Sequence, residues 1–294
     1  LVWRKKRSSG GTINDHVFVD TERGKTKFIL SNSSAAEATS SNSITSFNNN
    51  GFTIVDNNSY GMNLSNETYV SWTFRKAKKF FDIVTYTGDN ATQTINHNLG
   101  SVPGMIIVKR LNDAGNWGVK HRSIDATDGV FLNSTDQRYD NATYWGDTEP
   151  TSTQFTVGTT HSVDSAPYVA YLFAHNDDDG GFGAAGDQDI IKCGSYTGDG
   201  ADDGPTIDLG FEPQFILSKR SDSSSQWNIV DTMRGLVTGG NDVRLYPNLT
   251  NADDGFDFIE VTPTGFKLAS SATAYNANYG TYIYMAIRRG AMAI

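Results

Sequence analysis

The chain repeats itself. Asp82-Ile83-Val84-Thr85-Tyr86-Thr87-Gly88-Asp89 returns within Ile190–Asp199, with Tyr86 and Tyr196 set 110 positions apart. Leu99-Gly100, Pro103, Lys109-Arg110 and Trp117 reappear as Leu209-Gly210, Pro213, Lys219-Arg220 and Trp227 at that same offset of 110. Composition alone does not hold a constant spacing over so many landmarks. The offset marks a duplicated structural unit, so both stretches are expected to fold alike.

A third copy precedes these two. Asp20-Thr21-Glu22-Arg23-Gly24 matches Asp231-Thr232-Met233-Arg234-Gly235, and Gly51-Phe52-Thr53-Ile54 matches Gly265-Phe266-Lys267-Leu268. Tyr69 to Phe74 matches Tyr168 to Phe173 and Tyr282 to Ile287. The opening of this copy is missing, and the chain is expected to begin inside a unit of a longer polypeptide. Residues 1–80 are expected to form a first, partial repeat and 81–180 a second. Residues 181–294 are expected to hold an acidic, glycine-rich linker and a third repeat. The breaks are placed near Lys79 and within Asn176–Gln188.

Short apolar runs rich in Val, Ile, Tyr and Phe, bounded by Gly, Asn, Asp, Ser and Pro, indicate strands throughout. The expected fold is all-β, as tandem antiparallel β-sandwiches. Asn49-Asn50-Gly51 and Thr262-Pro263-Thr264-Gly265 are expected to close hairpins, with glycine supplying a positive φ. Phe52 and Ile54, or Phe266 and Leu268, alternate with polar residues as strands with one wet face do. Met105 to Val108, Phe215 to Leu217 and Tyr282 to Ile287 are instead apolar on consecutive positions, so both faces need cover. That cover comes either from loops of the same unit or from a neighbouring unit or subunit.

Charge and chemistry exclude more than they assign. The net charge of −9 argues against a nucleic-acid binder; it divides as +5 over residues 1–80, −10 over 81–189 and −4 over 190–294. The cluster Arg4-Lys5-Lys6-Arg7 recurs as Lys109-Arg110 and Lys219-Arg220, and is taken as a solvated strand end rather than a phosphate site. No apolar run approaches the roughly 20 residues of a membrane helix. Cys193 is the only cysteine, so no intrachain disulfide forms. The five histidines are scattered, and no nucleophile elbow, phosphate loop or zinc motif occurs. No enzymatic activity, cofactor or metal is expected. Asp177 to Asp189 fail the EF-hand register, since position twelve falls on Gly186. Asn-x-Ser/Thr triplets such as Asn66-Glu67-Thr68 are what an Asn- and Thr-rich chain generates without glycosylation.

Aromatic residues supply one functional alternative. Trp117 and Trp227 recur at equivalent places and are expected in the core. Tyr139, Tyr144 and Trp145 have no evident counterpart in the third copy, which makes them the candidate glycan contacts.

Three strings carry a resemblance. Asp189 to Gly200, Asp208-Leu209-Gly210-Phe211-Glu212-Pro213-Gln214-Phe215 and Trp227 to Gly235, with the closing Tyr284 to Gly290, resemble the repeat domains of virion-associated proteins in tailed phages of marine bacteria. The resemblance spans all three copies and implies an exterior virion protein, tail-associated or fibre-like, for attachment or tail architecture. It implies a homo-oligomer contacting other virion proteins, and possible contact with host glycans. A capsid decoration protein and a glycan-binding or glycan-cleaving surface protein are the alternatives.

Overall fold

The computed structural model describes residues 1–9, 14–41, 43–55 and 63–290. The fold is all-β, built from antiparallel sheets. The first large sheet uses β1 (Val2–Lys6), β2 (His16–Val19), β3 (Lys27–Leu30), β4 (Ala38–Thr39) and, after a hairpin of β5 (Ile44–Asn48) and β6 (Gly51–Ile54), β7 (Tyr69–Thr73). The second region contains β8 (Phe81–Thr87), β9 (Gln93–Asn96), β10 (Pro103–Arg110), β11 (Gly118–His121), β12 (Asp128–Phe131), β13 (Tyr139–Asp140), β14 (Gln154–Val157) and β15 (Pro167–Ala174). The third contains β16 (Ile191–Thr197), β17 (Thr206–Asp208), β18 (Pro213–Arg220), β19 (Trp227–Asp231), β20 (Asp242–Leu245), β21 (Asp254–Phe256), β22 (Ile259–Thr262), β23 (Gly265–Leu268) and β24 (Thr281–Arg288).

The large sheets run β4-β3-β2-β1-β7, then β13-β12-β11-β10-β15-β8, then β21-β20-β19-β18-β24-β16. One path through five strands is thus followed three times, and the second and third sheets carry one further strand beyond it. Small sheets, β5 with β6, β9 with β14, and β17-β23-β22, accompany them.

The consecutively apolar strands are explained by this arrangement. Along β24, Tyr284 and Ala286 pack with Phe266 and Leu268 of the small sheet, inside the sandwich. Ile283, Met285 and Ile287 point the other way, into a cluster that also contains Trp3, Phe18, Trp72 and Phe74 of the first sheet and Ile107, Val119 and Tyr171 of the second. The second face is therefore covered by the neighbouring sheets of the same chain. Rings interlock there: Phe18 meets Trp117 edge-on at 5.1 Å, Phe74 meets Phe173 at 5.3 Å, and Trp72 meets Phe215 at 5.9 Å.

Both expected hairpins form, Asn48 pairing with Gly51 and Thr262 with Gly265. Their glycines serve different ends. Gly51 has φ 156°, whereas Gly265 lies outside the positive-φ set. A Cβ on Gly265 would collide with the main-chain carbonyl of Ile207 in β17, so that glycine is there for close strand approach.

The acidic segment between the second and third sheets is a tethered loop. Asn176, fully buried, accepts from the amides of Ile190 and Ile191 and donates to Lys79 O. Asp189 accepts from the amides of Asp178 and Gly180, and Phe182 bridges to Gln188.

Candidate functional site

The lysines of the recurring Lys-Arg ends are not solvated, whereas Arg7, Arg110 and Arg220 stay partly exposed. Lys5, Lys109 and Lys219 are buried, and so is Lys6. Each of the three ammonium groups turns back to the next residue's carbonyl and across to a loop of another sheet. Lys5 Nζ donates to Lys6 O (2.8 Å) and Thr250 O (3.2 Å). Lys109 Nζ donates to Arg110 O (2.8 Å) and Ser34 O (3.2 Å). Lys219 Nζ donates to Arg220 O (2.9 Å) and Thr135 O (3.2 Å). The first sheet thus reaches the third, the third the second, and the second the first. Burial lowers all three ammonium groups to about 8. A lysine stem can line an apolar joint while its head finds carbonyls, which is why sequence position alone suggested a wet strand end.

Main chain and tryptophans repeat the cycle. The amides of Asp253, Glu37 and Arg138 donate to Arg7 O, Leu111 O and Ser221 O, at 3.1, 2.8 and 2.8 Å. Trp227, beside Lys219 in the ladder, donates through Nε1 to Phe131 O at 2.8 Å, and Trp117 donates to Leu30 O at 3.1 Å. Both indoles are fully buried and occupy equivalent positions. The first sheet has His16 there, opposite Lys5. His16 accepts from Trp3 Nε1 through Nδ1, while its Nε2 makes no hydrogen bond of ordinary geometry. Burial pushes its pKa well below the usual range, opposed only weakly by the Tyr246 main chain.

Next to these joints lie two buried brackets. Asp20 accepts from Arg23 N and Nε (2.9 and 2.6 Å), and Asp231 accepts from Arg234 N and Nε (2.9 and 2.6 Å). Another sheet completes each: Tyr171 Oη donates to Asp20 at 2.7 Å, and Trp72 Nε1 to Asp231 at 3.0 Å. Burial alone would raise the Asp20 carboxyl, but the Arg23 charge and amide hold it below the ordinary range. In the second sheet the corresponding residue is His121, in contact with Tyr284 O at 3.0 Å.

The candidate glycan contacts do come together. A short helix, α1 (Ala142–Trp145), is capped by Asn141, whose side chain accepts from Thr143 N, and ends on Gly146 at φ 66°. Trp145 is buried and donates to Tyr139 Oη at 3.2 Å. Tyr139 stacks on Phe131 at 4.7 Å, and Tyr144 lies 4.5 Å from Tyr139. His161 closes the cluster against Trp145 at 4.8 Å. Gly118 and Gly129 leave no room for a Cβ beneath these rings. Trp145 thus has no face for a sugar; Tyr139 and Tyr144 are half-buried. The cluster is specific to the second sheet for a packing reason. Where Gly129 pairs with Tyr139, the third sheet pairs Arg244 with Asp254 and the first pairs Phe28 with Ala38.

Of the other reactive groups, Cys193 and His175 are neighbours, Cys193 N donating to His175 Nδ1 at 3.2 Å. Burial lowers His121 to about 4 and His161 to about 3, and pushes the Cys193 thiol up. Carboxylates gather in a polar hollow of about 310 Å³ lined by Asp125, Asp128, Gln137, Arg138, Asp140 and Asp222, where Arg138 pairs with Asp128 at 3.3 Å. Among the described residues no three His, Cys, Asp or Glu side chains converge as metal ligands.

Fold and joints together define a class: an all-β body in which three antiparallel sheets grip one another in a cycle. The chain belongs to the family described as a domain of unknown function, DUF7483, whose model matches residues 1–289 and so runs across all three sheets. None of the curated proteins and none of the solved structures compared with it matches.

Proposed function

We propose that this chain is an exterior structural protein of a tailed-phage virion, a tail fibre or tail-associated body serving attachment or tail architecture. The observation that carries the reading is the closed cycle of joints. Three equivalent lysines, three equivalent amide bridges and one shared aromatic core commit the sheets to one another, which suits a load-carrying module. The resemblance of the repeat sequences to virion-associated proteins supports the same assignment. So does the chemistry: burial lowers the imidazoles of His121, His161 and His175 and raises the Cys193 thiol that neighbours His175, the reverse of what an activated thiolate–imidazole pair needs, which favours a non-catalytic role.

Assembly with other virion proteins, as an oligomer, is part of this proposal. Immunogold labelling of intact particles with antibody to this chain tests it. Label is expected on tails. A regular lattice of label over the capsid would favour a decoration protein instead, and absence of the chain from purified particles would remove the proposal.

A further inference from the structure

Four of the five histidines are locked by their partners. His121 Nδ1 accepts from Ser123 N at 3.2 Å, and its Nε2 lies 3.0 Å from Tyr284 O. An amide nitrogen only donates and a carbonyl only accepts, so the ring proton is on Nε2 and Nδ1 is bare. His97 is held in the same way between Leu99 N and Thr151 O. Nδ1 of His16 accepts from Trp3 Nε1 at 3.0 Å, and Nδ1 of His175 accepts from Cys193 N at 3.2 Å. Protonation places an N–H on each Nδ1, facing another N–H. Ring and donor must then separate.

Three of these rings face the third sheet. His121 reaches it through Tyr284 O of β24, and His175 through Cys193 N of β16. His16 has the Tyr246 main chain beside it and pairs across the ladder with Lys5, whose ammonium reaches Thr250 O. The first and second sheets are instead joined through Lys109, Trp117, Arg23 and Tyr171. Both joints of the third sheet thus carry histidine.

The surroundings disfavour a charged ring. His16 and His121 are 0% and 1% exposed. The charged groups around His16 are Lys5 and Arg234; those around His121 are Lys120, Arg122 and His175. His175, half-buried, has Arg122 and Lys192 beside it, and one acid, the exposed Asp177, which lies 3.8 Å from Lys192. Burial first, and these like charges after it, lower all three imidazoles. Packing gives no slack: a Cβ on Gly104 would lie 2.8 Å from Cys193 and 2.9 Å from His175. The register counterpart of His121 in the first sheet, Asp20, does the same work with a carboxylate. Its Oδ1 accepts from Glu22 N at 3.0 Å, and Arg23 holds its charge. The second sheet uses imidazole there, an acceptor that mild acid removes.

We propose that His16, His121 and His175 form an acid-operated latch: protonation turns each Nδ1 from acceptor to donor, breaks both joints of the third sheet and opens the cycle as one event. The latch rests on the joints and is independent of the virion assignment. Where the folded pKa lies below the unfolded one, the unfolded chain takes up more protons, so stability falls as pH drops from about 6.5 toward the folded value. For His121, lowered to about 4, the unfolding constant should rise about 20-fold between pH 7 and pH 5. Asp242, raised to about 6 by burial, works against this descent, and His97 and His161 add to it without joining sheets. Single variants separate the latch from those groups. Urea unfolding of the intact protein at pH 7 and pH 5 is compared with that of His121→Asn and His175→Asn. Asparagine does not titrate, and its Oδ1 can accept from Ser123 N as Asp20 does from Glu22 N. The ratio of unfolding constants should shrink about 20-fold in His121→Asn and by less in the half-buried His175→Asn. An unchanged ratio in both would overturn the proposal. Imidazole nitrogen NMR on the unsubstituted protein supplies a second measure. Bare Nδ1 signals from His16 and His121 should persist to pH 5 in folded molecules, and rings that protonate near the ordinary value of about 6.5 without unfolding would overturn the latch. Amide exchange at pH 5 should quicken in β1, β10 and β18 together; quickening confined to one sheet would overturn the single opening event.

Discussion

At the scale of single residues, the repeats announced which positions matter more clearly than why. The recurrence of Trp117 and Trp227 indicated a core role, and both are buried. Trp227→Ala is expected to cost about 3–5 kcal/mol in denaturant melts, the range for deleting a large buried aromatic. A loss below half of that would mean the ring is not gripped between sheets. The lysines were equally repeated and were misjudged, because charge normally predicts solvent. The overlooked signal was recurrence itself: a solvated charge has no reason to return at one register position three times. Their pKa of about 8 lies below the ordinary lysine value of 10.5. Between those values the unfolded chain binds protons that the folded one does not, so these groups make stability rise with pH there. Cys193, whose folded thiol is raised above 9.0, opposes this only as pH passes 9. Urea midpoints should therefore climb from pH 8 to pH 9, and Lys109→Met should reduce the climb. A midpoint that is flat or falling over that interval would contradict buried, carbonyl-bound ammonium groups.

At the scale of elements, alternation patterns disclosed the strands and both hairpins, whereas close approaches between strands left no local trace. Gly265 resembles any turn glycine in sequence. Its neighbour Ile207 lies far away in the chain and only the fold brings the two together. Gly265→Ala should cost about 1–3 kcal/mol, as overpacking does. Equal thermal stability of that variant would mean that β17 and β23 separate easily. The Asp-x-x-Arg bracket was visible as a repeat, but its completion by another sheet was not. Asp231→Ala leaves Arg234 buried without its carboxylate and Trp72 without an acceptor. A loss of about 3–5 kcal/mol is expected from broken buried ion pairs. A double-mutant cycle with Trp72→Phe should show coupling of at least about 0.5 kcal/mol, and additive losses would deny the contact between sheets.

At the scale of the whole molecule, sequence separation hid the central fact. Consecutive apolar positions in Tyr282–Ile287 showed that a second face needed cover but not which surface supplies it. The covering residues, Trp3, Phe18, Trp72 and Tyr171, lie between 111 and 284 positions away from that strand's residues. Likewise Tyr139, Tyr144 and Trp145 read as loop aromatics until the short helix and its supporting glycines folded them onto Phe131 and His161. Three sheets share one core and one cycle of joints, so no sheet can unfold while the others stay native. Differential scanning calorimetry tests this directly, through the ratio of calorimetric to van't Hoff enthalpy. A single transition with a ratio of about 1 is predicted, whereas separable transitions, or a ratio near about 3, would show three independently folding sandwiches and contradict it.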